Sequence, residues 1–178
     1  MKNIVLIGMP GAGKSTVGVV LAKILGYDFV DSDIVIQQKE GAKLSEIIEQ
    51  EGIDGFIQVE NRINAELQAE HSVIATGGSV VYGREAMQHL KQIGLVVYLH
   101  LSYENVEKRL GNLKNRGVVV HEGETLKDLY DARRSLYEKY ADVTVECDGL
   151  TIEQTIAAVR EACMNSEKQQ ILKLSDRS

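Results

Sequence analysis

The chain Gly8-Met9-Pro10-Gly11-Ala12-Gly13-Lys14-Ser15 has the complete spacing of a phosphate-binding loop, G-x-x-x-x-G-K-[ST]. Each residue type in it has a chemical reason. The glycines let the backbone N–H groups of Gly11, Ala12, Gly13, Lys14, Ser15 and Thr16 curl around a β-phosphate, and a side chain at Gly8 or Gly13 would obstruct that cradle. Lys14, at the tip of the loop, reaches the β and γ oxygens, and the Ser15 hydroxyl ligates Mg2+.

Two further clusters carry polar chemistry. In Asp31-Ser32-Asp33 two carboxylates stand two residues apart. They would hold a metal through water and accept a proton from an acceptor hydroxyl, or else form an Asx turn that caps the next helix. In Thr76-Gly77-Gly78-Ser79 the paired glycines let backbone approach a ligand closely, unless the segment is an ordinary tight turn.

These clusters need strands and helices to bring them together. Residues 4–7 are a short β-branched run that ends at Gly8, and residues 15–25 place Val17, Val20, Leu21 and Ile24 at helical spacing before Gly26. Strand, loop and helix follow in order, so the helix N-terminus points its dipole at the phosphates. Further strands are predicted over 27–31, 73–76, 95–99 and 143–145. Helices are predicted over 44–50, 54–70 (with Phe56, Val59, Ile63 and Leu67 on one face), 84–93, 104–110, 126–140 and 151–164. The last opens on a capping box, Thr151-Ile152-Glu153-Gln154. Alternating strands and helices with uninterrupted apolar strands imply an α/β fold, a five-stranded parallel sheet with helices on both faces. In such a fold ligands bind beyond the C-terminal strand ends, where both polar clusters fall.

At 178 residues with one proline and no linker-like or repeated tract, the chain reads as one domain over 1–164 and a polar tail over 165–178. A net charge of −6 argues against a nucleic-acid or anionic-membrane partner. Cys147 and Cys163 lie far apart, as free buried thiols do, and the four histidines have no metal-ligand spacing. The longest apolar stretch is too short to span a bilayer, and residues 1–7 are consumed by the first strand rather than forming a signal peptide, so a cytoplasmic protein is expected. The oligomeric state is not legible.

Taken together, the loop at 8–15, the F-x-D-x-D box at Phe29-Val30-Asp31-Ser32-Asp33, the segment Phe56 to Glu60, the A-T-G-G turn at 75–78 and two later arginines resemble the shikimate kinase family in order and spacing over roughly residues 3 to 160. The resemblance implies a nucleoside-monophosphate-kinase type of P-loop fold in three layers, with a mobile lid at about 111–125, ATP with Mg2+ as donor, and a small hydroxylated acceptor, shikimate. It assigns Lys14 and Ser15 to ATP and Mg2+, Asp31 to the outer shell of the metal, and Asp33 to the acceptor hydroxyl. Arg109 would lie on the adenine, Arg116 would ride on the lid toward the transferred phosphoryl group, and Arg133 would bind the acceptor carboxylate. Gly77, Gly78 and Ser79 would border the acceptor.

Three positions depart from the family pattern. Ile57 stands where an arginine would grip the acceptor carboxylate and pair with Glu60, which leaves Glu60 in need of another partner, with Arg62 pointing the wrong way. Ser79 replaces a glycine, and Gly117 replaces the proline after the lid arginine. These departures keep open a kinase for another small hydroxylated acceptor or a nucleoside monophosphate, and a non-catalytic nucleotide-binding regulatory module. A GTP-dependent switch is disfavoured because D-x-x-G and N-K-x-D motifs are absent from the sequence.

Overall fold

The apolar run at the N-terminus becomes the centre of the molecule. In the computed structural model, which describes residues 2–110, 121 and 123–175, Asn3–Ile7 forms β1, every residue of it buried. Four more strands join it in an all-parallel sheet, β2 (Asp28–Asp31), β3 (Ser72–Ala75), β4 (Gly94–His100) and β5 (Val143–Glu146), in the order β2-β3-β1-β4-β5, with β1 paired to β3 and β4. A strand buried on both faces must be apolar throughout, which is why the run from Ile4 to Ile7 contains no polar residue.

The helices are α1 (Lys14–Leu25), α2 (Ser32–Glu40), α3 (Leu44–Ala65), α4 (Arg84–Ile93), α5 (Tyr103–Leu110), α6 (Leu126–Tyr140) and α7 (Ile152–Ser175). The path from β1 through α1 to β2 crosses the sheet in one direction, and the path from β3 through α4 to β4 crosses it in the other. Right-handed crossovers therefore put these helices on opposite faces. Accordingly α1 packs with α7 on one face, while α4 and α6 lie against β4 on the other, with α3 against α4. The strand order reverses direction beside β1, so the switch point falls at the loop after β1.

The main apolar core spans both faces of the sheet. A smaller cluster, Ile36, Ile47, Phe56 and Ile63, joins α2 to α3 and supports one side of the cleft above the strand ends.

Some boundaries differ from the sequence expectation. Helix α2 was not predicted: its nine residues carry little amphipathic pattern, and it is nucleated by a cap, with Asp31 accepting from the Asp33 N–H at 3.1 Å. The helices predicted over 44–50 and 54–70 form one element bent at Gly52, whose φ of 70° is non-helical. It stops at Ala65, so Leu67 lies beyond the helix and packs in the main core instead. Helix α7 starts at the predicted box, where Thr151 and Gln154 exchange hydrogen bonds of 2.9 and 3.2 Å, but it runs on to Ser175 through most of the segment read as a tail.

Candidate active site

Beyond the C-terminal end of β1 the chain turns through the phosphate-binding loop. Gly8 has a φ of +147°, and a Cβ there would stand 2.7 Å from the Leu99 carbonyl oxygen of β4, so only glycine is accommodated. Gly13, which precedes α1, needs glycine for a different reason than obstruction: its surroundings are open, but its φ is +91°. No side chain caps α1. Its first ladder bond runs from the Val17 N–H to the Gly13 carbonyl at 2.8 Å, which leaves the N–H groups of Lys14, Ser15 and Thr16 outside the ladder at the positive end of the helix dipole.

Lys14 is buried rather than held out at a tip. Its ammonium donates to the carbonyls of Gly8 at 2.7 Å and Met9 at 3.0 Å, closing the loop on itself. Burial pushes its pKa down to about 8; Arg133 adds to this, while Asp33, Glu60 and Asp31 oppose it. Ser15 Oγ donates to Asp31 Oδ2 at 2.8 Å. The second oxygen of Asp31 caps α2, which is the Asx-type alternative foreseen for its cluster, while the first faces Ser15. A hydroxyl and a carboxylate side by side at the mouth of a phosphate cradle form a hard-oxygen donor pair that fits Mg2+. Arg109 reaches over the loop from α5 and donates to the Gly11 carbonyl at 2.9 Å.

Next to this loop a cavity of about 50 Å3 is lined by Pro10, Asp33, Phe56, Glu60, Gly77, Gly78, Ser79 and Arg133, with Leu44 and Ile48 completing its apolar wall. Space at the paired glycines is tight. A Cβ at Gly77 would collide with Glu60 Oε1 and lie 2.8 Å from Asp33 Oδ1. A Cβ at Gly78 would lie 2.8 Å from Pro10 Cδ and 3.0 Å from Arg133 Nη1. The turn is therefore one of close backbone approach. Tyr137, one helical turn after Arg133 on α6, fixes it by donating to the Gly78 carbonyl at 2.6 Å while stacking on Tyr98 of β4 at 5.0 Å between centroids.

Charge is concentrated here. Arg133 is buried with its guanidinium 5.5 Å from the centroid of the Tyr82 ring. Burial raises the Asp33 pKa, Asp31 raises it further, and Lys14 opposes. Burial pushes Glu60 up to about 7, with a hydrogen bond from Ser79 pulling it down, Asp33 raising it, and Arg133 and Lys14 lowering it. A larger cavity of about 350 Å3, lined among others by Lys2, Lys91, Gly94 and Asp142, lies at the N-terminal strand ends, away from the loop.

The fold thus brings together Gly11 through Thr16, Asp31, Asp33, Gly77, Gly78, Ser79, Arg109 and Arg133 around one cleft. Arg116, Gly117 and most of the expected lid lie outside the described residues. Ile57 is half-buried and stands outside the lining of the small cavity. Arg62 pairs with Glu40 at 2.7 Å, and the partner of Glu60 is Ser79, at 2.6 Å. Sequence reasoning had placed neither Glu60 nor Tyr137 in the site. The signal for Glu60 was a carboxylate left without its expected arginine; for Tyr137 it was the four-residue spacing from Arg133.

Residues 10–164 match the model of the shikimate kinase family. The chain belongs to the shikimate kinase family. It is an enzyme, an ATP-dependent kinase. A shikimate kinase of Pasteurella multocida is 44% identical over 151 residues, 83% of this chain and 86% of that protein. One from Thermodesulfovibrio yellowstonii is 42% identical over 157 residues, 86% of this chain and 90% of that protein. Among solved structures, the shikimate kinase from Acinetobacter baumannii in complex with shikimate superposes with a TM-score of 0.84 at 36% identity, covering 93% of this chain and 94% of that one. The fold alone is shared more widely: thymidylate kinase from Candida albicans gives a TM-score of 0.60 at 14% identity, over 93% of this chain and 92% of its own.

Proposed function

We propose that this kinase transfers the γ-phosphoryl group of ATP to a hydroxyl of shikimate, giving a shikimate phosphate and ADP. The observation that carries the reading is the meeting, across the Pro10–Gly78 contact, of a phosphate cradle with a cavity lined by Asp33, Glu60 and Arg133. Phosphoryl transfer needs positioning and charge stabilisation more than covalent chemistry, and this cleft is built for both.

In this reading Asp33 accepts the proton of the attacking hydroxyl, a task its raised pKa suits. Arg133 binds the acceptor carboxylate through its planar fork, backed by Tyr82 and Tyr137. Lys14 exchanges its contacts with the Gly8 and Met9 carbonyls for phosphate oxygens, while the N–H groups from Gly11 to Thr16 hold the donor phosphates. Ser15 and, at one remove, Asp31 would hold Mg2+. When bound, the ion neutralises charge on the β- and γ-phosphates. Arg109 acts on the nucleotide from α5, and Arg116 on the transferred group. An ATP-consuming reaction and two buried free thiols, Cys147 and Cys163, suit the reducing cytoplasm.

The test is an ADP-coupled assay of wild type with shikimate, gluconate, polyols, amino alcohols and nucleoside monophosphates as acceptors. Turnover is expected to be highest with shikimate. Because Ile57 and Ser79 change the acceptor side, the specific rival is another hydroxylated acceptor, and faster turnover with any other member of the panel would establish it.

A further inference from the structure

Glu60 projects from α3 into the acceptor cavity and is 1% exposed. Its Oε2 accepts from Ser79 Oγ at 2.6 Å. Its Oε1 is equally inaccessible, has no hydrogen-bond partner among the described residues, and faces Gly77 beside Asp33 Oδ1. A buried polar oxygen left in this way is unfavourable unless something meets it. The cavity in front of it is where an acceptor would sit.

Ser79 is well placed to fix that carboxyl. It is buried, it immediately precedes a short 3-10 turn at Val80–Tyr82, and its carbonyl accepts from the Tyr82 N–H at 3.0 Å. The hydroxyl therefore projects from anchored backbone. Around Glu60 the charged and titratable groups are Asp33 of α2, Arg133 and Tyr137 of α6, and Lys14 of α1. Arg133 is the one cationic side chain among the residues lining the cavity. A serine hydroxyl holds a carboxyl without adding positive charge, unlike a guanidinium. The cavity is consequently polarised, with its cation at Arg133 and two carboxyl groups at the other side of the glycine turn.

We infer that Ser79 is a specificity-determining positioning residue: by engaging Glu60 Oε2 it fixes that carboxyl in the cavity wall, with Oε1 against the glycine turn beside Asp33, so that an acceptor binds with its hydroxyls toward the two carboxyl groups and its anionic group on Arg133. The inference rests on the acceptor reading given above. With shikimate and ATP, Ser79→Ala raises the shikimate KM roughly tenfold, the effect of one lost hydrogen bond to a charged group, while the ATP KM stays within about twofold. Ser79→Thr, which keeps the hydroxyl, restores most of the loss. An unchanged shikimate KM in Ser79→Ala, or an equal rise in the ATP KM, overturns the inference. A second measurement does not depend on the acceptor. The Glu60 carboxyl, followed by carbon-13 NMR against pH, titrates at a higher pH in Ser79→Ala than in wild type, because the hydrogen bond favours the ionised form. An unmoved midpoint overturns the inference whatever the substrate proves to be. Wild type inactive on shikimate refutes the proposed substrate instead and leaves this titration to decide on Ser79.

Discussion

Lys14 donates to two loop carbonyls, which holds its charge within the phosphate-binding loop proposed to take the donor. Lys14→Ala should cut kcat by on the order of 10²- to 10³-fold, as loss of one preorganised charge-stabilising group does, with the chain still folded. Circular dichroism alongside the ADP-coupled rate checks both halves. Asp33 shares the cleft but faces the acceptor cavity. Asp33→Asn preserves size and removes the proposed base, and it should lower kcat with the ATP KM within about twofold; nucleotide affinity falling in step with turnover would assign Asp33 to the donor side. Position 57 tests the missing cation. Ile57→Arg should lower the shikimate KM by roughly tenfold, the worth of one charge-assisted contact, as measured by initial rates. Of these residues the loop lysine was singled out in the sequence by its motif, whereas the spacing of the paired aspartates left two readings open and only the family resemblance gave them roles. The bond between Ser79 and Glu60 was not legible, since the two lie nineteen positions apart on different elements and no local pattern links a turn serine to a helix carboxylate.

Elements explain why the site is tight. The turn after β3 is wedged between the phosphate loop and α6, and a Cβ at Gly78 would meet Pro10 of the one and Arg133 of the other. Gly78→Ala would press on Pro10 and Arg133 together, so it should raise the KM of ATP and of the acceptor alike and destabilise the fold by about 1–3 kcal/mol, read from denaturant unfolding. An effect on one substrate alone would show that the wedge does not couple the two halves. Strand β1, its loop and α1 were readable because burial, glycine placement and helical spacing agree there. Helix α2 was hidden because a cap and tertiary packing of Ile36 stabilise it rather than its own periodicity. The overrun of α3 to residue 70 has a clear cause: Leu67 falls in helical phase with Phe56, Val59 and Ile63, yet its burial belongs to the sheet core. The continuation of α7 past 164 was left open between a helix end and disorder, because a polar sequence is compatible with helix as well as coil.

At the scale of the whole molecule, the sheet order carries ionisable groups from α1, α2, α3 and α6 into one poorly solvated cleft, and stability must reflect it. Glu60 binds a proton in the native state up to about pH 7, whereas its ordinary pKa is 4.5. Between those values the unfolded chain has released a proton that the native chain retains, so stability falls as pH rises through the window, by about 3 kcal/mol. Lys14 acts at higher pH: between about 8 and 10.5 the unfolded chain is the more protonated, and stability rises with pH there. Glu60→Gln should therefore lose the decline that wild type shows between pH 5 and pH 8 in denaturant unfolding; parallel curves would place the proton elsewhere. The central claim is that this cleft passes a phosphoryl group from ATP to shikimate. It is tested most directly by phosphorus-31 NMR of wild-type enzyme with ATP, Mg2+ and shikimate. The account predicts ADP and a new phosphomonoester resonance growing in equal amounts, both absent without shikimate and both suppressed in Asp33→Asn. ADP forming with inorganic phosphate alone, or no consumption of ATP when shikimate is present, would contradict it.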